Sequence, residues 1–174
     1  MTPAATPASS REGVLQQINE WTGRSVSWLT LLMVVVTFIV VVLRYTFDLG
    51  WIWLQESVTY MHAAVFMLGI SYTLKHQGHV RVDIFYRKFS QRGQAMVDLF
   101  GTLFLLIPVA LFILWSSWDY VLQSWSVLEG SREAGGLPLV FLLKTLMLLL
   151  PLLLLVQAVV MLLQSLSVVR RHDG

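Results

Sequence analysis

Residues 25–43 read SVSWLTLLMVVVTFIVVVL, nineteen consecutive residues without a charge. A helix needs about 20 mostly apolar residues to cross about 30 Å of hydrocarbon, so this stretch decides the class of protein. Three comparable runs follow: VTYMHAAVFMLGISYTL at 58–74, FGTLFLLIPVALFILW at 100–115, and LPLVFLLKTLMLLLPLLLLVQAVVMLL at 137–163, broken by one lysine. Lipid offers no partner to an unpaired backbone N–H or C=O, which leaves helices as the spanning element. The expected fold is an all-α integral membrane protein with four transmembrane helices, over about residues 25–43, 55–74, 97–120 and 137–163. These form a single membrane domain, 25–169.

Composition agrees. Of 174 residues, 56% are hydrophobic and 13% charged, where soluble chains carry about 25% charged residues; mean hydropathy is +0.70. The chain has no cysteine, which removes disulfides, thiolate metal sites, iron–sulfur clusters and thiol nucleophiles. A net charge of +2 is too small for a nucleic-acid binder. The first run is longer than the core of a signal peptide and ends in LRYTFD without a small-residue cleavage site, so it reads as a retained span.

Orientation follows from the short polar segments. Arg11 and Arg24 precede span one; Lys75, Arg81, Arg87, Lys88 and Arg92 lie between spans two and three; Arg170 and Arg171 end the chain. Nine of the twelve basic residues thus fall on one side, and the positive-inside rule puts both termini in the cytoplasm. Trp51, Trp53, Trp115, Trp118 and Trp125 then crowd the outer interface. Residues 1–10 read as a disordered tail, 11–24 as an interfacial segment and 170–174 as a cytoplasmic tail. Short interfacial helices are expected at the N-terminus, where Val14, Leu15, Ile18 and Trp21 recur at helical spacing, and between spans two and three. Basic residues there would also meet anionic lipid headgroups.

Ionisable groups inside a span are costly and are functional hypotheses by default. Glu56 begins span two and Lys144 lies seven residues into span four, at similar depth. Arg44 and Asp119, at the outer ends of spans one and three, complete an expected polar layer, with Glu56–Lys144 as its direct pair. A plainer reading stands beside it: Lys144 snorkels along lipid and Glu56 caps a helix start.

His62, the one histidine within a span, shares a helical face with Phe66 and Gly69. A haem would want a second ligand on a facing helix, and the other spans hold no histidine. His76, His79 and Asp83 give a spacing that could touch zinc, but fall short of four defined ligands; no metal site is expected. The chain has no nucleophile elbow, Walker A loop, HExxH or GxGxxG. It reads as a subunit that packs against something larger, and not as an enzyme.

Three segments narrow this further: Arg44-Tyr45-Thr46-Phe47 with Trp53-Leu54-Gln55-Glu56; Gly78-His79-Val80-Arg81-Val82-Asp83; and Gly135-Gly136-Leu137-Pro138 with Lys144. In this order they resemble the small membrane subunit of tripartite ATP-independent periplasmic (TRAP) transporters, the DctQ-type permease component, over about residues 20–165. The resemblance implies a bacterial inner-membrane scaffold in a secondary transporter. Its partners would be a large membrane subunit that moves an organic acid with sodium ions and a periplasmic solute-binding protein, for which Trp51, Trp53, Glu129 and Arg132 on the outer side are the docking candidates, and it would hold no cofactor of its own. The family positions carried over are Arg44, Trp53, Glu56, His79, Arg81, Asp83 and Lys144, the middle three forming a cytoplasmic rim motif. Gln55 departs from the pattern, since family members often carry two acids there. The readings from other classes are a haem-bearing anchor of a redox complex, which a Soret band would reveal, and a stand-alone channel or exporter, which would conduct without a partner.

Overall fold

A computed structural model describes residues 10–76, 86 and 88–171, and every regular element among them is a helix. Helix α1 (Ser10–Thr46) has 37 residues and runs about 55 Å at 1.5 Å per residue. The interfacial segment expected at 11–24 is therefore not a separate helix; it continues into the first span. No proline interrupts α1, and its interior Gly23 is held by packing: a Cβ there would collide with the ring of Tyr72.

Tyr72 belongs to α2 (Ile52–Lys75), which lies antiparallel to α1. Gly69 faces Val26, with room for a Cβ 3.6 Å from Val26 Cγ1. Further along, Val58, Thr59 and His62 border one groove with Thr37 and Val41. Small residues at the crossing let the two backbones approach.

The third apolar run forms one continuous 36-residue rod, Gln91–Ser126. Within it α3 (Gln91–Gly101) passes through a π turn (Thr102–Leu106) into α4 (Ile107–Ser126). Ser90 caps the start, its side chain accepting from the Gly93 N–H at 3.3 Å. Pro108 has no N–H to give the Phe104 carbonyl. The wider turn just before it is closed by the Ile107 N–H donating to Thr102, a π-bulge of the kind that accommodates such a break.

Helix α5 (Val140–Arg171) is the centre of the bundle and packs on all the others. Pro151 inside it is fully buried. Ala110, Ser117 and Ser124 on α4 are buried at seven-residue intervals, and so are Pro151, Ala158 and Ser165 on α5. Two rows of small residues allow antiparallel helices to pack where lipid supplies no hydrophobic drive.

Among the described residues, three helices are long and apolar enough to cross a membrane: Trp21–Thr46, Gln91–Ser126 and Val140–Arg170. Of the four spans expected from the sequence, these three meet that measure of length and composition and α2 does not. Helix α2 is long enough, at about 36 Å, but Gln55, Glu56, Ser57, Thr59, Tyr60 and His62 dilute its first half. The second interfacial helix, expected between spans two and three, falls partly outside the described residues; Gln91 onward is already the start of the long rod.

Gly23→Val should test the α1–α2 crossing. The expected result is a lower unfolding midpoint in detergent, from overpacking worth about 1–3 kcal/mol, and partial recovery when Tyr72→Ala is added. An unchanged midpoint in the single variant would show that the helices do not meet there.

Candidate functional site

One end of the bundle gathers the C-terminus of α1, the N-termini of α2 and α5, and the connection 127–139 that leaves α4. The α4 terminus turns through Leu128, at φ +46. The Glu129 N–H donates back to the Ser124 carbonyl at 3.0 Å and the Leu128 N–H to Trp125 at 3.2 Å. This is a Schellman-type cap with leucine in the left-handed position that glycine usually fills. Trp125 Nε1 donates to Thr145 Oγ1 at 2.9 Å, and its ring meets Phe141 edge-on at 4.7 Å, which ties α4 to α5.

The turn sets Glu129 beside Lys144. Lys144 Nζ donates to Glu129 Oε2 at 2.5 Å and sits 3.9 Å above the centre of the Tyr120 ring. Lysine therefore meets a carboxylate and an aromatic face together, and a cation–π contact strengthens where water is scarce. The hydrogen bond from Lys144, the largest cause, holds the Glu129 carboxyl below its ordinary range.

Glu56 holds a different part of the same connection. Ser131 Oγ donates to Glu56 Oε1, and the Leu137 N–H donates to Glu56 Oε2 at 2.6 Å. The Trp53 N–H at the start of α2 donates to the Gly135 carbonyl at 3.1 Å, giving one of that helix's orphan donors a partner. The Ser131 N–H donates to the Leu137 carbonyl at 2.9 Å, closing the turn on itself. Gly135 has φ +79. At Gly136 a Cβ would run into Ser131 and come within 2.8 Å of Glu56 Oε2. The Gly135-Gly136-Leu137-Pro138 turn is thus shaped to the carboxylate it receives.

The expected Glu56–Lys144 pair is replaced by two separate ties. The loop comes between the helices and supplies a nearer partner to each charge: Ser131 and Leu137 to Glu56, Glu129 to Lys144. Nor does the four-residue layer assemble. Arg44 and Asp119 are exposed, and among the described residues no hydrogen bond or ion pair joins them to this network. The aromatic partner of Lys144 is Tyr120, one position beyond the expected Asp119. Glu129, expected on the docking rim, is instead turned onto Lys144. Trp51 and Trp53 stack at 6.0 Å and remain about half exposed, and Arg132 is exposed.

Sequence reasoning missed Ser131 and the Leu137 N–H because a loop's path is not periodic. Glu129 carried a signal. A short connection sets antiparallel helix ends side by side, which brings an acid just beyond α4 within reach of a lysine one turn into α5. His62 stacks on Phe66, 6.4 Å between ring centres, on the shared face expected. His76 meets the Tyr72 ring at a tilt of 48°, with 4.3 Å between ring centres. His79, Arg81 and Asp83 lie outside the described residues, and among the described residues no three metal-binding side chains cluster.

The model of the family described as tripartite ATP-independent periplasmic transporters, DctQ component, matches residues 33–168. No curated protein and no solved structure matches the chain.

Two outcomes follow. Glu56→Ala removes a carboxylate holding two hydrogen bonds, of about 1.5–3 kcal/mol each; it should free the connection, seen as faster tryptic cleavage after Arg132, with Glu56→Gln intermediate. Cleavage at the native rate in Glu56→Ala would dissolve the tie. For Glu129, whose native pKa is depressed, the unfolded state binds protons more readily; its contribution is full above the ordinary carboxyl value of 4.5 and is lost as pH falls through the lowered one. Glu129→Gln should flatten the fall in unfolding midpoint below that pH, and parallel curves for the two proteins would contradict it.

Proposed function

The chain belongs to the DctQ family of tripartite ATP-independent periplasmic transporters, as one small subunit of a three-protein system, and from that membership we propose that it is the non-catalytic scaffold of its transporter. The observation that carries this reading is how the near-membrane charges are engaged. Glu56 and Lys144 both bind the chain's own loop, so they brace one end of the bundle and do not line a route for solute.

In this reading α2 crosses the membrane with the other three rods. It runs antiparallel to α1, and the bonds of Trp53 to Gly135 and Glu56 to Leu137 put its N-terminus level with that of α5. A helix held so between two spans shares their depth, and the histidine and hydroxyls that lower its hydropathy are tolerated on a face turned to protein. Four crossings place both termini in the cytoplasm with nine basic residues at that end. The large apolar exterior, including Phe104, Phe112 and Trp115 at 63%, 68% and 83% exposed, offers area for lipid and for the large subunit. That subunit would carry an organic acid and its coupling sodium ions. Trp51, Trp53 and Arg132 would meet the solute-binding protein on the periplasmic rim, and His79, Arg81 and Asp83 the cytoplasmic side.

The cysteine-free sequence makes the topology directly testable. Arg132→Cys should react with a membrane-impermeant maleimide from the periplasmic side, and Lys88→Cys only after the membrane is opened; equal labelling of both in intact cells would refute four crossings. For function, proteoliposomes holding this chain alone should accumulate no solute, whereas adding the large subunit and binding protein should restore uptake. Uptake by this chain alone would overturn the scaffold reading.

A further inference from the structure

The face of α2 that carries Thr59 and His62 is left uncovered by this chain. Both residues are exposed, and with Val34, Thr37, Phe38 and Val41 of α1 they line a groove of about 620 Å³. His62 lies ten residues beyond Ile52, about 15 Å along the helix. That is the middle of a hydrocarbon core about 30 Å thick. Thr37, nine residues before the end of α1 at Thr46, lies at a similar depth. Neither the ties of Glu56 and Lys144 nor bracing calls for polar groups here.

Hydrogen-bonding capacity tells what the groove would accept. His62 stacks on Phe66, a contact that uses the ring face and not its nitrogens, which are one donor and one acceptor in the neutral form. Among the described residues no hydrogen bond or ion pair engages His62 or the Thr59 hydroxyl. Thr37 Oγ1 donates to the Met33 carbonyl at 2.7 Å, so toward a further partner it can only accept. Such groups are costly to leave in hydrocarbon. An acyl chain would fill the volume and satisfy none of them, and a lipid headgroup stays at the surface, about 15 Å away. What remains is protein, and at this depth lipid-exposed protein is helix. A second copy of this chain does not serve. Meeting through the same face, two copies would set groove against groove; meeting through different faces, one groove would stay open.

We propose that the α1–α2 groove seats one membrane-spanning helix of the large subunit, with an amide or hydroxyl side chain opposite His62. Thr59 and His62, three positions apart, are neighbours on one helical face. A single amide on the incoming helix can therefore accept from the histidine N–H and donate to the threonine oxygen. A charged side chain would be disfavoured at this depth. Phe38, 67% exposed, would flank the seated helix. The inference rests on the scaffold reading, and adds to it the face that is held and the chemistry of the helix that holds it.

The full chain, with p-benzoylphenylalanine in place of Phe38, is co-expressed with the large subunit of its transporter and irradiated in native membranes. The expected product is a covalent adduct of the two chains. In mild detergent, His62→Leu should weaken capture of the large subunit about threefold, the scale of one interhelical hydrogen bond in lipid, and His62→Gln should recover part of it. The unfolding midpoint of the chain alone should not move in His62→Leu; a drop there matching the loss of capture would make His62 a structural residue and overturn its role. If His62→Leu does not fold, the adduct at Phe38 and capture by Thr59→Val, expected to be weakened likewise, decide. Adducts between two copies of this chain would give the groove to a second copy, and no protein adduct from a complex that is retained would give it to lipid; either overturns the assignment. Capture at native strength by His62→Leu would overturn the hydrogen bond and the partner chemistry with it. If the unsubstituted chain captures no large subunit at all, the scaffold reading itself falls, and this inference falls with it.

Discussion

The tie between Glu56 and the 131–137 turn is the constraint from which the arrangement of one end follows. A carboxylate at the start of an apolar helix must find donors, because the nearby hydrocarbon supplies none. Glu56 finds them on the segment leading into α5, in Ser131 Oγ and the Leu137 N–H. That choice fixes the distance between α2 and α5, requires glycine at 136, and leaves Lys144 to a different acid. Each charge finds its partner in the connection that joins α4 to α5, hydrogen-bond donors for Glu56 and a carboxylate for Lys144, so the loop behaves as part of the bundle.

Further along the rods the governing term changes from hydrogen bonding to fit. Ala110, Ser117 and Ser124 on α4, with Pro151, Ala158 and Ser165 on α5, keep bulk out of the centre. In water such a seam would bury little apolar area; in lipid, where no hydrophobic drive exists between helices, close approach and dispersion are what remain. The two proline-containing helices meet the same requirement differently. Pro108 is accommodated by a π turn at Thr102–Leu106, whereas Pro151 is enclosed on every side at the bundle's centre.

The helices were legible in the sequence because lipid imposes a length and a polarity that can be counted along the chain. Their ends were less so. The interfacial segment 11–24 could not be told from the first turns of a longer α1, since helix propagation costs little once a span has nucleated it. The weak point was α2, whose Glu56, Tyr60 and His62 are tolerable only where protein covers them, and coverage is a property of neighbours. Glu56 and Lys144 stand out in the sequence as charges that need partners. Their partners were not legible, because depth along a helix says nothing about a loop folding between two helices. Tyr120 in place of Asp119 shows how a one-residue step, about 100° around a helix, exchanges one face for another.

A transporter that moves one body against another needs a part that does not deform. Ties at one end, small-residue seams along the length and a central α5 that touches every other helix all oppose relative motion within this chain. Nothing comparable restrains its outer surfaces among the described residues, where Phe104, Phe112 and Trp115 are mostly exposed. Rigidity inside and apolar exposure outside are the properties of a wall against which another subunit can be held. A transport protein working alone would need the reverse: a polar route within and internal contacts weak enough to exchange during each cycle.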